Sequence, residues 1–216
     1  MQNSAVKRSK SRTPQGGMTS AGNAGHQIRI IGGKWKRTPL KVPDVEGLRP
    51  TPDRVRETVF NWLNHLLNGQ WENLRCLDLF AGSGALGFEA ASRGAASVTL
   101  VESNRAAVVQ LDAVKQKLGA QEVAILCGDA LMLARQLPQA QQFQLIFLDP
   151  PFHQDWLAKI LPVCAQLLAK DGLIYVEAEH SLTVEPHPPW LEGWEVVRAD
   201  KAGMVFYHVL KSNKSA

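Results

Sequence analysis

The stretch Arg75-Cys76-Leu77-Asp78-Leu79-Phe80-Ala81-Gly82-Ser83-Gly84-Ala85-Leu86-Gly87 decides the fold. Arg75–Phe80 reads as a buried strand that breaks into a glycine loop, and a helix follows from about Leu86 to Arg93. Gly82, Gly84 and Gly87 fit G-x-G-x-x-G, and Glu102 lies about 20 residues beyond, at the end of the next strand. The glycines let a ligand approach the backbone, and Glu102 is placed to hold both hydroxyls of a ribose. Taken alone, the pattern admits NAD as readily as S-adenosylmethionine.

Outward from this unit the alternation continues. Strand Ser97–Val101 precedes a helix from Asn104 to Leu118, closed by Gly119. Strand Glu122–Leu126 precedes a short helix near Ala130–Leu137, and strand Phe143–Leu148 precedes a helix over Trp156–Leu168. Leu173–Glu177 is a further strand, and Trp194–Ala199 with Met204–Leu210, turning near Lys201–Gly203, reads as a terminal antiparallel pair. Strands alternating with helices imply a mostly parallel sheet covered on both faces. The expected fold is a doubly wound, seven-stranded α/β domain with a small N-terminal β-hairpin and helix extension. Ligands in such sheets bind at the carboxyl ends of the strands, near the topological switch point.

The N-terminal side has a different character. Residues 1–25 are rich in Ser, Gly, Lys, Arg and Asn, with the composition of a disordered basic tail. In residues 26–50, Ile28-Arg29-Ile30-Ile31 and Lys34-Trp35-Lys36-Arg37 flank Gly32-Gly33, a two-residue hairpin signal. Trp35 is read as a core anchor ahead of a base-stacking platform. Thr51 is a candidate N-cap with Pro52 at the first helical position, and Val55, Val59, Trp62, Leu63, Leu66 and Leu67 share one helix face. The folded body is expected over residues 26–211, with residues 212–216 a flexible C-terminus.

Composition sets the class. At 216 residues the chain suits one well-cored domain. No apolar run is long enough to span a bilayer, and the N-terminus has no apolar h-region, so a cytoplasmic location is expected. Cys76, Cys127 and Cys164 lack metal-ligand spacing and read as buried, reduced thiols, and His180, His187 and His208 likewise lack partners at metal-like spacing. No metal is expected. Residues 1–56 hold 12 Lys/Arg against 3 Asp/Glu, a net of +9, which leaves −5 for the remainder of a chain of net charge +4. A basic front on an acidic body points to a polyanionic partner, nucleic acid first.

The chemistry collects at strand ends. Asp78 precedes the glycine loop, where a pyrophosphate site gains nothing from a negative charge, so it favours a cationic ligand such as S-adenosylmethionine. Asp129 follows the third strand and is read either as an acceptor for the adenine amine, with Leu131 on the ring, or as a plain helix N-cap. Asp149-Pro150-Pro151-Phe152 ends the fourth strand. Its prolines present carbonyl acceptors without donors and stiffen the segment, which suits a flat group bearing an N–H₂; the alternative is a strand-ending turn. Glu177 is read as a sheet-edge residue, and His153, beside the tetrapeptide, as an exposed turn histidine ahead of one lining the pocket.

The motifs Asp78-Leu79-Phe80-Ala81-Gly82-Ser83-Gly84, Glu102 and Asp149-Pro150-Pro151-Phe152 resemble those of class I, Rossmann-like S-adenosylmethionine-dependent methyltransferases acting on exocyclic amines. Arg29-Ile30-Ile31-Gly32-Gly33 and Arg49-Pro50-Thr51-Pro52-Asp53-Arg54-Val55-Arg56-Glu57 narrow the resemblance to the bacterial 16S rRNA guanine-N2-methyltransferase family (RsmD), over about Gln27 to Lys211. The resemblance implies methylation of the N2 amine of one guanine, position 966 in conventional 16S rRNA numbering, in the assembled or nearly assembled small ribosomal subunit. It implies S-adenosyl-L-methionine held by Asp78, Phe80, Gly82, Ser83, Gly84, Glu102, Ser103, Asp129 and Ala130. Asp149, Pro150, Pro151 and Phe152 would be catalytic, and Arg29, Lys34, Lys36, Arg37 and Arg49 would bind rRNA phosphates. A monomer is expected.

Three other readings remain open on the residues alone. An NAD-dependent oxidoreductase fits the glycines but not Asp78. A non-catalytic RNA-binding assembly factor would be expected to have a damaged loop or to lack Asp149. A DNA or RNA adenine-N6 methyltransferase shares Asp-Pro-Pro-Phe, although the chain has little length left for a separate target-recognition domain.

Overall fold

A computed structural model of the protein describes residues 27–41, 51–138, 140 and 142–213, together with Met1. The elements in chain order are β1 (Gln27–Arg29), β2 (Pro39–Lys41), α1 (Asp53–Leu66), β3 (Arg75–Asp78), α2 (Ala85–Ser92), β4 (Ser97–Glu102), α3 (Arg105–Leu118), β5 (Val123–Cys127), α4 (Ala130–Gln136), β6 (Phe143–Leu148), α5 (Trp156–Leu167), β7 (Leu168–Ala178), β8 (Trp194–Ala202) and β9 (Val205–Ser212). Seven strands form one sheet in the order β5-β4-β3-β6-β7-β9-β8. β3 to β7 run parallel, and β9 pairs antiparallel with both β7 and β8. The chain moves outward from β3 to β5, then crosses back to lay β6 on the other side of β3. That reversal is the switch point at which α/β sheets open a crevice.

Local sequence explains the elements. β6 reads as an unbroken apolar run because helices cover both of its faces, and all its residues except Gln144 are buried. On one face Phe60, Phe88, Phe147 and Tyr175 share a core; on the other Leu77, Ile146, Ile160 and Val176 do. Asn104 caps α3 by accepting from Ala106 N–H at 2.9 Å and Ala107 N–H at 3.1 Å, and Gly119 ends it at φ 61. Gly87 lies inside α2 because a Cβ there would stand 2.1 Å from Leu100 Cδ2, so the residue lets the helix press onto β4.

Three local expectations change. The hairpin exists, but its strands are β1 and β2, paired from Gln27↔Lys41 to Arg29↔Pro39, and Lys34–Arg37 forms a turn rather than a strand. Gly32-Gly33 is a docking point, not a two-residue turn. Gly33 has φ 73, and a Cβ on it would fall 1.9 Å from the Ser92 carbonyl oxygen. Lys34 N–H donates to that carbonyl at 2.8 Å, and Trp35 N–H donates to Ser92 Oγ at 2.9 Å. The Glu89 carboxylate accepts from Ile31 N–H at 2.6 Å and Gly32 N–H at 2.8 Å. Attachment to α2 therefore overrides the local turn signal. Thr51 does not cap α1, whose N-cap is Pro52 with no side-chain cap bond; its hydroxyl is used elsewhere. Cys76 and Cys164 are buried, but Cys127 is exposed at the end of β5, an outer strand of the sheet; all three are free thiols.

Candidate active site

The carboxyl edge of the sheet opens into a cavity of ≈ 1040 Å³, at the upper end of the usual range for small-ligand sites and roomy enough for two flat groups. Five parallel neighbours each end here in an acid. In sheet order they are Asp129 after β5, Glu102 on β4, Asp78 on β3, Asp149 after β6 and Glu177 on β7. Pairing of Leu148 with Val176 sets Asp149 beside Glu177. Sequence reading found four of these acids and placed Glu177 outside the chemistry. Its position at a strand's carboxyl end is the signal in the sequence that marks it.

The glycine loop forms the cavity floor. Gly84 adopts φ 77, and a Cβ on it would lie 2.5 Å from Phe88 Cδ2, so only glycine fits. The Glu102 carboxylate accepts from Gly82 N–H at 2.8 Å and Asn104 N–H at 2.7 Å, which fixes the loop while leaving lone pairs for a ligand. Asp129 caps α4 through Met132 N–H at 2.8 Å, so the N-cap reading holds, yet the residue also lines the cavity with Gly128 and Ala130. Phe80, Ser83 and Ser103 line it too, and Phe80 meets Trp156 edge-on at 5.3 Å.

Asp78 is 1% exposed, and burial raises its carboxyl to about 7; backbone N–H groups of Phe80 and Gly87 partly offset this. Asp149 is raised well above the usual carboxylate range, first by burial and then by Glu177 and Asp78. Among the described residues, no lysine or arginine donates to either. Thr51 Oγ1 lies 2.8 Å from Glu177 Oε1 and 3.5 Å from Asp149 Oδ2. Tyr175 OH also donates to Glu177 Oε1, at 2.8 Å. Pro150, Pro151, Phe152, His153 and Gln154 continue along the rim, with Ala202, Gly203, Met204 and Val205 of the β8–β9 turn also lining the cavity. Thr51 and that turn had no site role in the sequence reading; both come close only through tertiary packing.

The basic residues divide. Arg29 pairs with Asp53 at 3.1 Å, and Lys34 pairs with Glu122 at 2.5 Å while lying over the Trp35 ring. Lys36 and Arg37 are exposed in the turn, and Arg49 lies outside the described residues. Trp35 packs against the core, as read. Buried Arg56 joins this appendage to the cavity: it donates to Arg29 O at 2.9 Å and Thr51 O at 3.2 Å and pairs with Asp53. Among the described residues, no group of three or more potential metal ligands occurs, and no helix is long and apolar enough to cross a membrane.

Comparison with known proteins agrees with this geometry. The family model "Conserved hypothetical protein 95" matches residues 28–211. Ribosomal RNA small subunit methyltransferase D of Escherichia coli strain K12 is 42% identical over 186 residues, covering 85% of this chain and 89% of that protein. The protein of the same name from Haemophilus influenzae is 36% identical over 195 residues, covering 88% and 96%. A solved structure of a candidate methyltransferase from Escherichia coli superposes with a TM-score of 0.73 at 36% identity, covering 88% of this chain and 100% of that chain. A precorrin-6y C5,15-methyltransferase from Geobacter metallireducens shares the fold alone, at TM-score 0.59 and 18% identity over 79% of this chain and 92% of that chain. With its motifs, its carboxylate-lined crevice and relatives matched over most of their length, the chain belongs to the ribosomal RNA small subunit methyltransferase D family.

Proposed function

We propose that this protein methylates the exocyclic N2 amine of one guanine in 16S rRNA, within the assembled or nearly assembled small subunit, using S-adenosylmethionine. The observation that carries the reading is the Asp149-Pro150-Pro151-Phe152 rim set in an acceptor-rich cavity with no lysine or arginine among its described lining residues. Its residues fit that cofactor. Asp78 and its neighbours offer negative charge to an ammonium and a sulfonium, Gly82 and Ser83 line the cavity while Gly84 packs the loop onto Phe88, and Glu102 keeps lone pairs for ribose hydroxyls. A pyrophosphate would add negative charge to the acidic row, which argues against NAD.

When bound, S-adenosylmethionine supplies the methyl group: the nitrogen lone pair forms the N–C bond as the S–C bond breaks, leaving S-adenosylhomocysteine and one proton to be removed. The chain's residues do the positioning. Guanine N2 is a poor nucleophile because its lone pair is delocalised into the purine. Asp149 and the Pro150 carbonyl accept its two hydrogens and turn the lone pair toward the methyl group. Phe152 stacks on the base, which must leave its own stack to enter. Arg29, Lys34, Lys36, Arg37 and Arg49 are assigned to rRNA phosphates; of the four described, Arg29 and Lys34 already pair with acids, whereas Lys36 and Arg37 are exposed.

The test is transfer of labelled methyl from S-adenosylmethionine to small subunits from a strain lacking the enzyme, followed by nucleotide mapping. A single labelled guanine carrying the methyl on N2 is expected. Label on an adenine amine, or no transfer, would overturn the reading.

A further inference from the structure

Two carboxyl groups stand side by side on adjacent parallel strands at the back of the cavity. Asp149 and Glu177 follow the paired residues Leu148 and Val176, and the Thr51 hydroxyl faces both. Thr51 Oγ1 lies 2.8 Å from Glu177 Oε1 and 3.5 Å from Asp149 Oδ2, so one hydroxyl meets both carboxyl groups. A carboxylate is an acceptor only, so a bond between two of them requires a proton in between. Glu177 Oε1 already accepts from Thr51 Oγ1 and Tyr175 OH, both at 2.8 Å, so the charge sits best on Glu177 and the proton on Asp149. Like charges at this spacing in a buried site do not both ionise.

We propose that Asp149 and Glu177 act as one proton-sharing dyad in which Glu177 is a positioning residue. Glu177 ties one Asp149 oxygen through the shared proton and leaves the other facing the cavity as an acceptor for the target amine. The inference rests on the amine-methylation reading above and deepens it. The dyad begins with one proton and a charge of −1. When the N–C bond forms and the S–C bond breaks, the nitrogen sheds one proton to Asp149. The dyad is then neutral with two protons, and it returns one to solvent as product leaves.

The groups facing the pair are Thr51 from the segment before α1, with Arg56 behind it on the Thr51 carbonyl, Asp78 from β3, Tyr175 from β7 and Tyr207 from β9. Burial pushes Tyr175 up and raises Asp78 to about 7, so Asp78 is the neighbouring titration that the measurements must separate from the pair. Losing the shared proton at high pH leaves two repelling carboxylates and frees the Asp149 rotamer. Gaining a second at low pH occupies the acceptor. A bell-shaped profile follows.

Glu177→Gln keeps an oxygen for Thr51 and Tyr175 while removing the charge, so a purely structural role would leave the pH profile unmoved. The expected result is loss of the alkaline limb, in kcat rather than KM. The second measurement needs no substrate. Infrared spectra of the whole ligand-free protein, taken above the Asp78 value of about 7, should show the carbonyl stretch of a protonated carboxyl in wild type, and that band should move to another frequency in Glu177→Gln, where the proton is no longer shared. An unaltered pH profile, a wild-type spectrum without that band, or the same band in both proteins overturns the dyad. Failure of methyl transfer in every substrate, with the band behaving as expected, would instead overturn the proposed function.

Discussion

Glu89 shows how firmly the N-terminal hairpin is attached, and its replacement gives a sharp test. Its side chain is fully buried on α2, and both oxygens accept: Oε2 from Ile31 N–H at 2.6 Å, Oε1 from Gly32 N–H at 2.8 Å and from Arg93 Nε at 2.9 Å. The site therefore holds three donors and needs an acceptor-only group. Glutamine is close in shape, yet whichever way its amide turns, an N–H₂ confronts at least one N–H. One bond to a charged acceptor is lost outright, and the others lose their charge assistance. At about 1.5–3 kcal/mol for such a bond, Glu89→Gln should cost about 3 kcal/mol and Glu89→Ala about 4–5 kcal/mol. For a chain of this size that is a fall in Tm of about 6–12 °C for the glutamine variant. Thermal and denaturant melts give the stability, and hydrogen exchange at the Ile31 and Gly32 amides locates the loss. A change below about 1 kcal/mol with both amides still protected would refute the reasoning.

Other variants probe the cavity and the basic turn. Asp149→Ala should keep S-adenosylmethionine affinity and lower turnover by about 10²–10⁴; near-normal methylation would remove Asp149 from the mechanism. Glu102→Ala frees the Gly82 and Asn104 N–H groups and should weaken S-adenosylmethionine binding about tenfold or more, and unchanged calorimetric affinity would count against it. Replacing Lys36 and Arg37 by alanine should lower the salt slope of subunit binding by about one to two, whereas Lys34→Ala or Arg29→Ala should change it less, because Glu122 and Asp53 already pair with them. Equal effects from all four would refute that division. Asp78 rises from 3.8 to about 7 on folding, so between those values the folded chain binds more protons and its contribution to stability falls as pH rises. Asp78→Asn should accordingly gain on wild type in ligand-free melts across that window; a constant difference would be inconsistent with the shift.

The order of strands and helices was legible because covered strands such as β6 are apolar runs and helices such as α3 carry end signals, here Asn104 and Gly119. The site was legible where it depends on position along one strand: Asp78, Glu102, Asp129 and Asp149 all follow strand ends. It was illegible where it depends on neighbours brought by packing. Thr51 looks like an N-cap from local sequence, and only the placement of α1 over the sheet carries its hydroxyl to Glu177. Gly32-Gly33 carries a hairpin-turn signal, and only the buried Glu89 and Ser92 explain why it docks instead. Glu177 belongs to both cases: strand position marked it, but its importance comes from Asp149 on the next strand.

The charge distribution then acquires a physical logic. Five acids along one sheet edge are costly in the free protein, and burial raises Asp78 and Asp149 above the ordinary carboxylate range. A cationic ligand relieves that cost, and an amine donor satisfies the acceptors that remain, so the cavity selects for both at once. The same row repels an RNA backbone. On the proposed function, phosphates meet instead the basic front of the chain, where Lys36 and Arg37 are exposed. Arg56 spans the two regions, bonding the Arg29 carbonyl on β1 and the Thr51 carbonyl at the cavity. A polyanion held at the hairpin can thus present one neutral base to an acidic pocket without bringing its phosphates in. That separation of sign, rather than either surface alone, lets an acidic pocket serve an RNA substrate.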